Sequence, residues 1–382
     1  MKEYLLTAGP TPVPERVLLA MARPILYHRA PAFTECLREV QDNLRWLMQT
    51  KQLPLVLSAS GTAGMDAAVA NFLRAGDKAI VIRGGKFGER WGKICQAYGI
   101  DCVFIDVEWG HAVDPKEVAA VLDKNPDARA VYATASETST ATKHDVEAIA
   151  KVVAGRDEVI LCVDAITAVG VFEVPVDQWG LDVTVVGSQK ALMLPPGLAM
   201  VVVSDKAWKA HDRANLPRFY LDLMRERRSQ EKGETAFTPA ISLFVGLRES
   251  LRMLKEETLE KVWDRHERLA KATRAASGGL GLELFSSSPT NAVTGYLVPN
   301  GIDGSAIIKQ MRTRYGIQIA GGQDHLKGKI VRIAHIGYIS EFDIITAISG
   351  LEMTLSDLGF SLRPGAGVAA AQATFAETRR PH

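Results

Sequence analysis

Short apolar runs alternate with amphipathic segments between residues 53 and 203. Each run is rich in valine, isoleucine and leucine and is bounded by turn residues, as buried strands are. The segments between the runs carry apolar residues at helical spacing. This alternation predicts an α/β fold with a mostly parallel, seven-stranded sheet that helices cover on both faces. The predicted strands are 53–57, 78–82, 102–107, 130–134, 159–163, 183–186 and 198–203.

The pattern changes after residue 203. Apolar spacing predicts a charged helix over 208–230 and a long helix over 241–276, bent near residues 257–258, which ends at Gly278 and Gly279. We expect a smaller α+β unit beyond this helix. The strands predicted for this unit are 292–298, 316–320 and 330–334. The helices predicted for it are 305–315 and 341–358.

These changes divide the chain into two domains with an extension at each end. A proline-rich segment near the start is too stiff for helix or central strand, so we expect a rigid arm that lines a site or an interface. The final residues are rich in alanine and glycine, which indicates a flexible tail. The predicted units are an N-terminal arm (1–20), a large domain (21–255), a small C-terminal domain (256–362) and the tail (363–382).

The composition is that of an ordinary globular protein and excludes several classes of function. The 382 residues are 47% hydrophobic and 23% charged, and the net charge of +1 gives no attraction for nucleic acid or an acidic membrane surface. The four cysteines are scattered without metal-ligand spacing, so we expect reduced thiols and no metal site. No apolar run reaches the roughly 20 residues that span a bilayer, and the start has no signal core. We therefore expect a cytoplasmic protein.

Two charged residues stand at the ends of apolar runs. The run 183–186 leads through Gly-Ser-Gln to Lys190, a costly place for an ammonium group among apolar neighbours. The ordinary interpretation is a lysine whose ammonium extends out to solvent. Asp164 ends the run 159–163, where a carboxylate needs a partner. Either a salt bridge or a protonated ring nitrogen would supply one.

A turn of small residues, Ser60 to Gly64, lies between a predicted strand and a predicted helix. Such a turn lets a phosphate approach free N–H groups at the positive end of the helix dipole. Packing alone would also explain the small residues. The turn is neither GxGxxG nor a Walker A motif, which counts against a nicotinamide oxidoreductase or a nucleoside triphosphate site.

A phosphate turn, a strand-end carboxylate and a strand-end lysine on one sheet together meet the requirements of pyridoxal phosphate. Its phosphate needs a helix N-terminus, its ring nitrogen needs an anion, and its aldehyde needs a lysine for a Schiff base. Ligands of such sheets bind at the carboxyl ends of the strands, where all three features lie. The sequence therefore predicts pyridoxal phosphate as the cofactor.

Several longer segments, in order along the chain, strengthen this prediction. They are Thr7–Pro14, Tyr27–Pro31, Ser60–Ala67, Phe87–Arg90, Glu137–Thr140, Val163–Ile166, Gly187–Lys190 and Lys329–Gly337. With this ordered set, over about residues 4 to 355, the chain resembles the class V aminotransferases of fold type I, in the alanine/serine–glyoxylate aminotransferase group.

The resemblance implies roles around the cofactor. Lys190 would form the Schiff base and, once freed by substrate, would move a proton. Asp164 would pair with the ring N–H, while Ile166 and Phe87 would pack on the two ring faces. Thr138 would bond near the phenolic oxygen or Asp164. The phosphate would be held by Ser60, Gly61, Thr62 and Gln189.

The resemblance also implies contacts with the substrate and between subunits. Arg332 would clamp the substrate carboxylate through two hydrogen bonds, and Gly9 on the arm would close over it. Thr235 and Thr238 would reach the phosphate of a neighbouring subunit, which implies a homodimer with shared active sites. Plainer alternatives are a solvated charge for Arg332, loop residues for the two threonines and a core position for Phe87.

The predicted reaction is transamination between a small amino acid, alanine or serine, and a 2-oxo acid, glyoxylate or pyruvate. Within the same fold, aspartate or 2-aminoethylphosphonate is the alternative donor. These need a further anion-binding group, for which the candidates are Arg29, Arg83 and Arg90. A lyase or desulfurase is less favoured, because Phe87 carries no proton and no cysteine follows Cys162. A protein that only bound a phosphorylated ligand would not need Lys190.

Overall fold

A seven-stranded sheet forms the centre of the larger part of the molecule. The computed structural model describes residues 2–378. The strands are β1 (Tyr4–Leu5), β2 (Leu55–Leu57), β3 (Lys78–Arg83), β4 (Asp101–Asp106), β5 (Ala128–Thr134), β6 (Ser136–Glu137), β7 (Thr142–Lys143), β8 (Ile160–Asp164), β9 (Val183–Gly187), β10 (Ala199–Val203), β11 (Val293–Leu297), β12 (Ile317–Gln318), β13 (Ala320–Gly321) and β14 (Ile330–Ala334). The order of strands in this sheet is β2-β10-β9-β8-β5-β3-β4, and β10 runs antiparallel to the other six. The predicted mostly parallel sheet is confirmed.

Helices cover both faces of this sheet. The helices of the described residues are α1 (Glu15–Met21), α2 (Pro31–Met48), α3 (Gly61–Ala70), α4 (Lys86–Ala97), α5 (Pro115–Lys124), α6 (Val146–Ala154), α7 (Val176–Trp179), α8 (Asp205–His211), α9 (Leu223–Gln230), α10 (Ile241–Glu257), α11 (Leu259–Leu280), α12 (Gly304–Tyr315), α13 (Glu341–Asp357) and α14 (Ala366–Glu377). Of these, α12, α13 and α14 pack in the core of the C-terminal region instead. Successive strand residues point to opposite faces. In β8, Leu161 packs in the core that contains α2 and α10, and Cys162 packs in the core that contains α3 and α4. The apolar runs of the sequence are continuous because both faces of these strands are buried.

The carboxyl ends of the parallel strands meet at one edge of the sheet. At this edge β2 leads into α3 and β3 leads into α4. At the same edge β8 ends at Asp164, and β9 leads within three residues to Lys190. The strand order therefore brings the residues singled out in the sequence to a common place.

The C-terminal region has its own three-stranded antiparallel sheet, in the order β11-β14-β13. The N-terminal arm is attached to this region, because β1 pairs in parallel with β12, Tyr4 opposite Ile317. Leu6 is buried in the core of the same region. The start of the chain is thus ordered by its last third, while the predicted domain boundary at residue 255 stays a prediction.

Two predicted helices end elsewhere than expected. The helix predicted over 208–230 is wrong between residues 212 and 222, where the chain leaves α8, passes Pro217, which has no N–H to donate, and starts α9 with Asp222 capping Arg225 N. The predicted bend near residue 258 is a full break, since Thr258 adopts a φ of 75°. The second part, α11, continues through Gly278 and Gly279 to Leu280.

The expectation of a loose C-terminal tail is wrong for residues 366–377. They form α14, whose Ala371 and Phe375 are buried against the C-terminal core. A Cβ at Gly279 of α11 would lie 2.5 Å from Gly367 N, so this glycine permits the close approach of α14. An alanine-rich segment favours helix once a packing surface is present. The last four residues of the tail lie outside the described residues.

Within residues 2–378, no helix has the length and apolar character that crossing a bilayer requires.

Candidate active site

Lys190 and Asp164 lie on adjacent strands at the carboxyl edge of the sheet. β8 pairs with β9, so that Asp164 is opposite Val185, and Lys190 follows the end of β9. Both residues are buried, with 8% and 4% of their surface exposed. The ammonium of Lys190 therefore does not extend to solvent, and each of the two charges acts on the pKa of the other.

Burial brings both pKa values towards neutrality. It lowers the pKa of Lys190 to about 8, an effect that Asp164 opposes and that Arg332 and Arg90 increase. It raises the pKa of Asp164 to about 7, against the influence of the Ile166 N–H and of Lys190. A lysine that is partly neutral near pH 8 can bond to an aldehyde. A buried carboxylate that is costly to ionise alone favours a protonated nitrogen beside it.

The N-terminal arm closes directly over Lys190. The Lys190 Nζ donates to the carbonyl oxygen of Ala8, and Thr11 Oγ1 donates to the Lys190 carbonyl oxygen at 3.0 Å. Gly9, between them, has a φ of 131°, and a Cβ there would lie 2.6 Å from Lys190 Cε. Glycine at position 9 therefore allows the arm to contact the lysine. The predicted contact of Gly9 with a substrate carboxylate stays a prediction.

The N-terminus of α3 is open at the same edge. Its N-cap residue, Ser60, makes no side-chain capping bond, and within residues 2–378 the N–H groups of Gly61 and Thr62 have no hydrogen-bond partner. Gln189 Oε1 is buried, and it too lacks a partner in this part of the chain. Free N–H groups at a helix N-terminus bind anions. The free N–H groups at the start of α3 therefore fit a phosphate, whereas Gln189 Oε1 is itself an acceptor, and the predicted phosphate contact of Gln189 stays a prediction.

Two apolar side chains, Ile166 and Phe87, lie near this helix end. A Cβ at Gly61 would lie 2.6 Å from Ile166 Cδ1, so Ile166 packs tightly under the turn. On α4, the ring centre of Phe87 lies 4.8 Å from the guanidinium of Arg90, and Arg90 Nη1 donates to Thr62 Oγ1 at 2.9 Å. An anion site, apolar walls, a buried amine and a buried acid together fit pyridoxal phosphate.

Arg332 is a buried guanidinium held by carbonyl oxygens. Its Nε and Nη2 donate to the Gly321 carbonyl at 2.9 and 2.6 Å, and its Nη1 donates to the Thr138 carbonyl. Burial lowers its pKa to about 10, while Glu137 acts in the opposite direction. Among the described residues no carboxylate bonds to it, so its charge can serve a substrate carboxylate. Thr138 contributes its backbone oxygen, and the predicted cofactor contact of Thr138 stays a prediction.

Glu137 is a site residue that the sequence did not single out. It is fully buried and accepts hydrogen bonds from the N–H groups of Phe87 and Gly88, both at 3.0 Å, and from Ser139. Its charge also raises the pKa of Asp164. Its signal in the sequence is an acidic residue three positions after the predicted strand 130–134, which does not by itself identify a partner.

Thr235 and Thr238 lie outside this group in the single chain. Thr235 Oγ1 donates to the Phe237 carbonyl at 2.7 Å, and both threonines line a small cleft together with Ser58 and Tyr220. Their predicted contact with the phosphate of a neighbouring subunit stays a prediction.

Of the three arginines considered for a second anion, Arg90 is the one that lies in the site. Arg83 pairs with Asp106, and Arg29 pairs with Glu234, both at the surface. A donor with a second anion would therefore find two of the three candidate cations already paired elsewhere.

Comparison with known proteins identifies the family. The family model described as Aminotransferase class-V matches residues 3–336. This chain belongs to the class V aminotransferases. Its cofactor is therefore pyridoxal phosphate, and the predicted enzyme class is confirmed.

This class V aminotransferase has relatives that match it over almost its whole length. It is 45% identical to a Synechococcus protein named soluble hydrogenase, small subunit, over 97% of both chains. It is 35% identical to the L-aspartate–glyoxylate aminotransferase of Paracoccus denitrificans, over 97% of this chain and 95% of the relative. The solved ureidoglycine–glyoxylate aminotransferase of Bacillus subtilis matches with a TM-score of 0.94 and 30% identity over 98% of both chains. The predicted fold type I is thereby confirmed.

Proposed function

We propose that this aminotransferase transfers the amino group of a small amino acid, alanine or serine, to a 2-oxo acid, glyoxylate or pyruvate. The observation that carries the proposal is the buried Arg332, whose guanidinium has, within residues 2–378, carbonyl oxygens alone as partners and acts on the pKa of Lys190. One such cation matches one carboxylate. Each of the four proposed substrates carries a single carboxylate next to the carbon that reacts.

The buried amine and acid support the proposed chemistry. Pyridoxal phosphate, when bound, supplies an aldehyde for the amino group and a ring that withdraws electrons. Lys190 Nζ would hold this aldehyde between turnovers and, once freed, would carry the proton that the donor Cα loses. With its pKa lowered to about 8, this amine exists in both protonation states near neutral pH, as proton transfer in both directions requires. Asp164 keeps the ring nitrogen protonated.

The choice of donor rests on charge. The names of the Paracoccus and Bacillus relatives share glyoxylate and differ in the donor, so they support glyoxylate as the acceptor. Aspartate and 2-aminoethylphosphonate would bring a second anion into the site. Arg83 and Arg29 are already paired with carboxylates at the surface, and Arg90 is bonded to Thr62. A donor without a second anion is therefore better supported.

A half-reaction with single donors tests this proposal. The protein loaded with pyridoxal phosphate is mixed with alanine, serine, aspartate or 2-aminoethylphosphonate, and the loss of visible cofactor absorbance is followed. We expect alanine and serine to react. Arg332→Lys should lower their kcat/KM by at least about 30-fold, or about 2 kcal/mol, and Arg83→Lys, at the surface pair with Asp106, is the matched control. Reaction with aspartate alone would contradict the donor, and no reaction with any donor would contradict transamination.

We also propose a homodimer whose active sites are shared. Thr235 and Thr238 lie beside Phe237, on which the exposed rings of Phe219 and Tyr220 pack. An exposed aromatic patch next to these threonines supports a subunit contact there. Co-expression of a Lys190→Ala chain with a Thr235→Ala/Thr238→Ala chain should restore one intact site per hybrid dimer. Hybrid dimers, isolated through a different affinity tag on each of the two chains, that regain no activity would contradict the shared site.

A cytoplasmic location is the remaining part of the proposal. The four cysteines are free, and Cys36, Cys95 and Cys162 are buried, as thiols in a reducing compartment often are. Fractionation of the source cells, with an antibody against the protein, tests the location. Recovery in an extracytoplasmic fraction would contradict it.

A further inference from the structure

The N-terminus of α4 is closed by side chains from a distant part of the chain. The first N–H groups of a helix have no partner within it. Here Ser139 Oγ accepts from Lys86 N, and Glu137 Oε2 accepts from Phe87 N and Gly88 N, all at 3.0 Å. The segment 137–139 therefore satisfies three donors of a helix to which it is not adjacent in sequence.

The Glu137 carboxylate fits closely into this helix end. Its second oxygen, Oε1, accepts from the N–H of Ser139 at 3.2 Å and from the Ser139 hydroxyl. A Cβ at Gly85, the N-cap residue, would lie 2.5 Å from both Cγ and Cδ of Glu137. Burial raises the pKa of Glu137, and the hydrogen bonds from Ser139, Gly88 and Phe87 oppose that rise. Four donors surround one carboxylate, and a glycine leaves the room for it.

The helix end that is fixed in this way carries two side chains into the site. Phe87 is the second residue of α4, and Arg90 follows one turn later. Arg90 contacts the Phe87 ring and donates to Thr62 at the start of α3. Phe87 is thus held at its backbone by Glu137 and at its ring by Arg90.

We infer that Glu137 is a positioning residue for the cofactor ring, because its carboxylate fixes the first turn of α4 and thereby the height and tilt of Phe87. The inference rests on the proposed function, in which Phe87 packs on one face of that ring. Glu137 acts through the N–H groups of Phe87 and Gly88, to which its carboxylate is bonded.

Glu137→Gln tests this role with a change of one atom. An amide has one acceptor oxygen where the carboxylate has two, so its NH₂ group must face either the helix N–H groups or Ser139. We expect the apparent Kd of the apoprotein for pyridoxal phosphate to rise about tenfold, which corresponds to about 1.4 kcal/mol. The visible circular dichroism of the bound cofactor should weaken, because its ring is no longer held at one angle. Neither measurement requires an amino donor.

A double-mutant cycle with Phe87→Ala separates positioning from a merely structural role. If Glu137 acts through Phe87, then Glu137→Gln should change the apparent Kd by less than about twofold once Phe87 is alanine. A similar, roughly tenfold change in both backgrounds would overturn the inference.

Glu352→Gln is the matched control. Glu352 is buried and accepts from the N–H groups of Gly365, Gly367 and Val368 at the start of α14. Its substitution loosens a second helix N-terminus of the same kind, and we expect a lower Tm with no change in the apparent Kd for pyridoxal phosphate. An equal rise in Kd in this control would show that any loss of stability weakens cofactor binding, which would overturn the inference.

Ser139→Ala keeps the inference testable if Glu137→Gln does not fold. It removes the acceptor of Lys86 N and one donor to Glu137 but leaves the carboxylate in place. We expect a rise in Kd of about threefold that disappears in the Phe87→Ala background, and an unchanged Kd would count against the role. A protein that binds pyridoxal phosphate but reacts with no donor would refute the proposed reaction, while the Kd cycle would still decide the role of Glu137.

Discussion

Helices α3 and α4 begin near each other at the carboxyl edge of the sheet, and they differ in whether their first N–H groups have hydrogen-bond partners. At α3, Ser60 makes no capping bond, and within the described range the next two N–H groups are without partners. At α4, the first three N–H groups are all bonded to Glu137 or Ser139. Arg90 of α4 joins the two helix ends through Thr62.

The difference distinguishes a helix N-terminus that can bind an anion from one that holds a side chain of its own helix in position. An open N-terminus offers its N–H groups and partial positive charge to an anion from outside. An N-terminus closed by an internal carboxylate has no room for a second anion and is fixed in place instead. In the proposed function, α3 serves the phosphate of the cofactor and α4 serves its ring.

Closing the open N-terminus of α3 should have the largest effect, a loss of affinity for pyridoxal phosphate. Gly61→Asp puts a carboxylate on the first residue of α3, and its Cβ would lie 2.6 Å from Ile166 Cδ1. Charge repulsion and steric conflict should raise the apparent Kd for pyridoxal phosphate at least about a hundredfold, or about 2.7 kcal/mol. Equilibrium dialysis of the apoprotein measures this change. Gly155→Asp, at a glycine with open space around it, is the control, and a similar loss there would contradict the explanation.

The pH dependence of cofactor uptake separates the contribution of Lys190 from that of α3. With the pKa of Lys190 lowered to about 8, about a tenth of the amine is neutral at pH 7 and most of it at pH 9. The rate of cofactor incorporation, followed by stopped-flow absorbance, should therefore rise about tenfold over this interval and then level off. Pyridoxal, which lacks the phosphate, should show the same profile with weaker affinity. A rate that still climbed tenfold per pH unit above pH 9 would contradict the lowered pKa.

Removing the charge of Asp164 and removing the charge of Glu137 should change the Tm of the apoprotein in opposite directions. The pKa of Asp164 is raised from 3.8 to about 7, so its contribution to stability is lost as the pH rises through that interval. Asp164→Asn should raise the Tm of the apoprotein by about 2–4 °C at pH 8, with a smaller gain towards pH 5. Glu137→Gln should lower the Tm, since it removes an acceptor that the helix uses. Differential scanning calorimetry measures both, and a lower Tm for Asp164→Asn at pH 8 would refute this distinction.

The smallest effect, on the free energy of unfolding, is expected from a substitution at the N-cap of α3. Because Ser60 makes no capping bond, Ser60→Ala should change the free energy of unfolding of the apoprotein by less than about 0.5 kcal/mol. Ser340 caps α13 in a capping box with Asp343, so Ser340→Ala should cost about 1 kcal/mol. Urea unfolding of the two apoproteins compares them. Equal costs would mean that the N-terminus of α3 is not open before the cofactor binds.

The sequence predicted the features that local pattern encodes. Strands buried on both faces appear as continuous apolar runs, and the sheet then brings Asp164 and Lys190 together because adjacent parallel strands end at one edge. The open turn at Ser60 could be predicted for the same reason, since a small-residue turn after a strand is a local signal. The role of Arg332 could be predicted only through the family resemblance, because the local sequence of an alternating strand does not show whether an arginine is buried.

The contacts that sequence could not predict join segments far apart in the chain. Glu137 and Ser139 cap a helix that begins at Lys86, and neither segment alone indicates the other. The same holds for α14, whose alanine-rich composition resembles a flexible tail until α11 presents a surface to pack on. The sequence predicts a helix stop at Gly279, whereas in the structure this glycine permits the close approach of α14.

The pairing of β1 with β12 has a consequence for synthesis on the ribosome. Tyr4 and Leu5 emerge from the ribosome long before their strand partners, Ile317 and Gln318, are made. Ala8, which follows β1, supplies the carbonyl to which Lys190 donates. The wall that Ala8 contributes to the lysine pocket is therefore fixed in place only after Ile317 and Gln318 have been made, and a nascent chain halted before Ile317 would leave the amine of Lys190 without this cover.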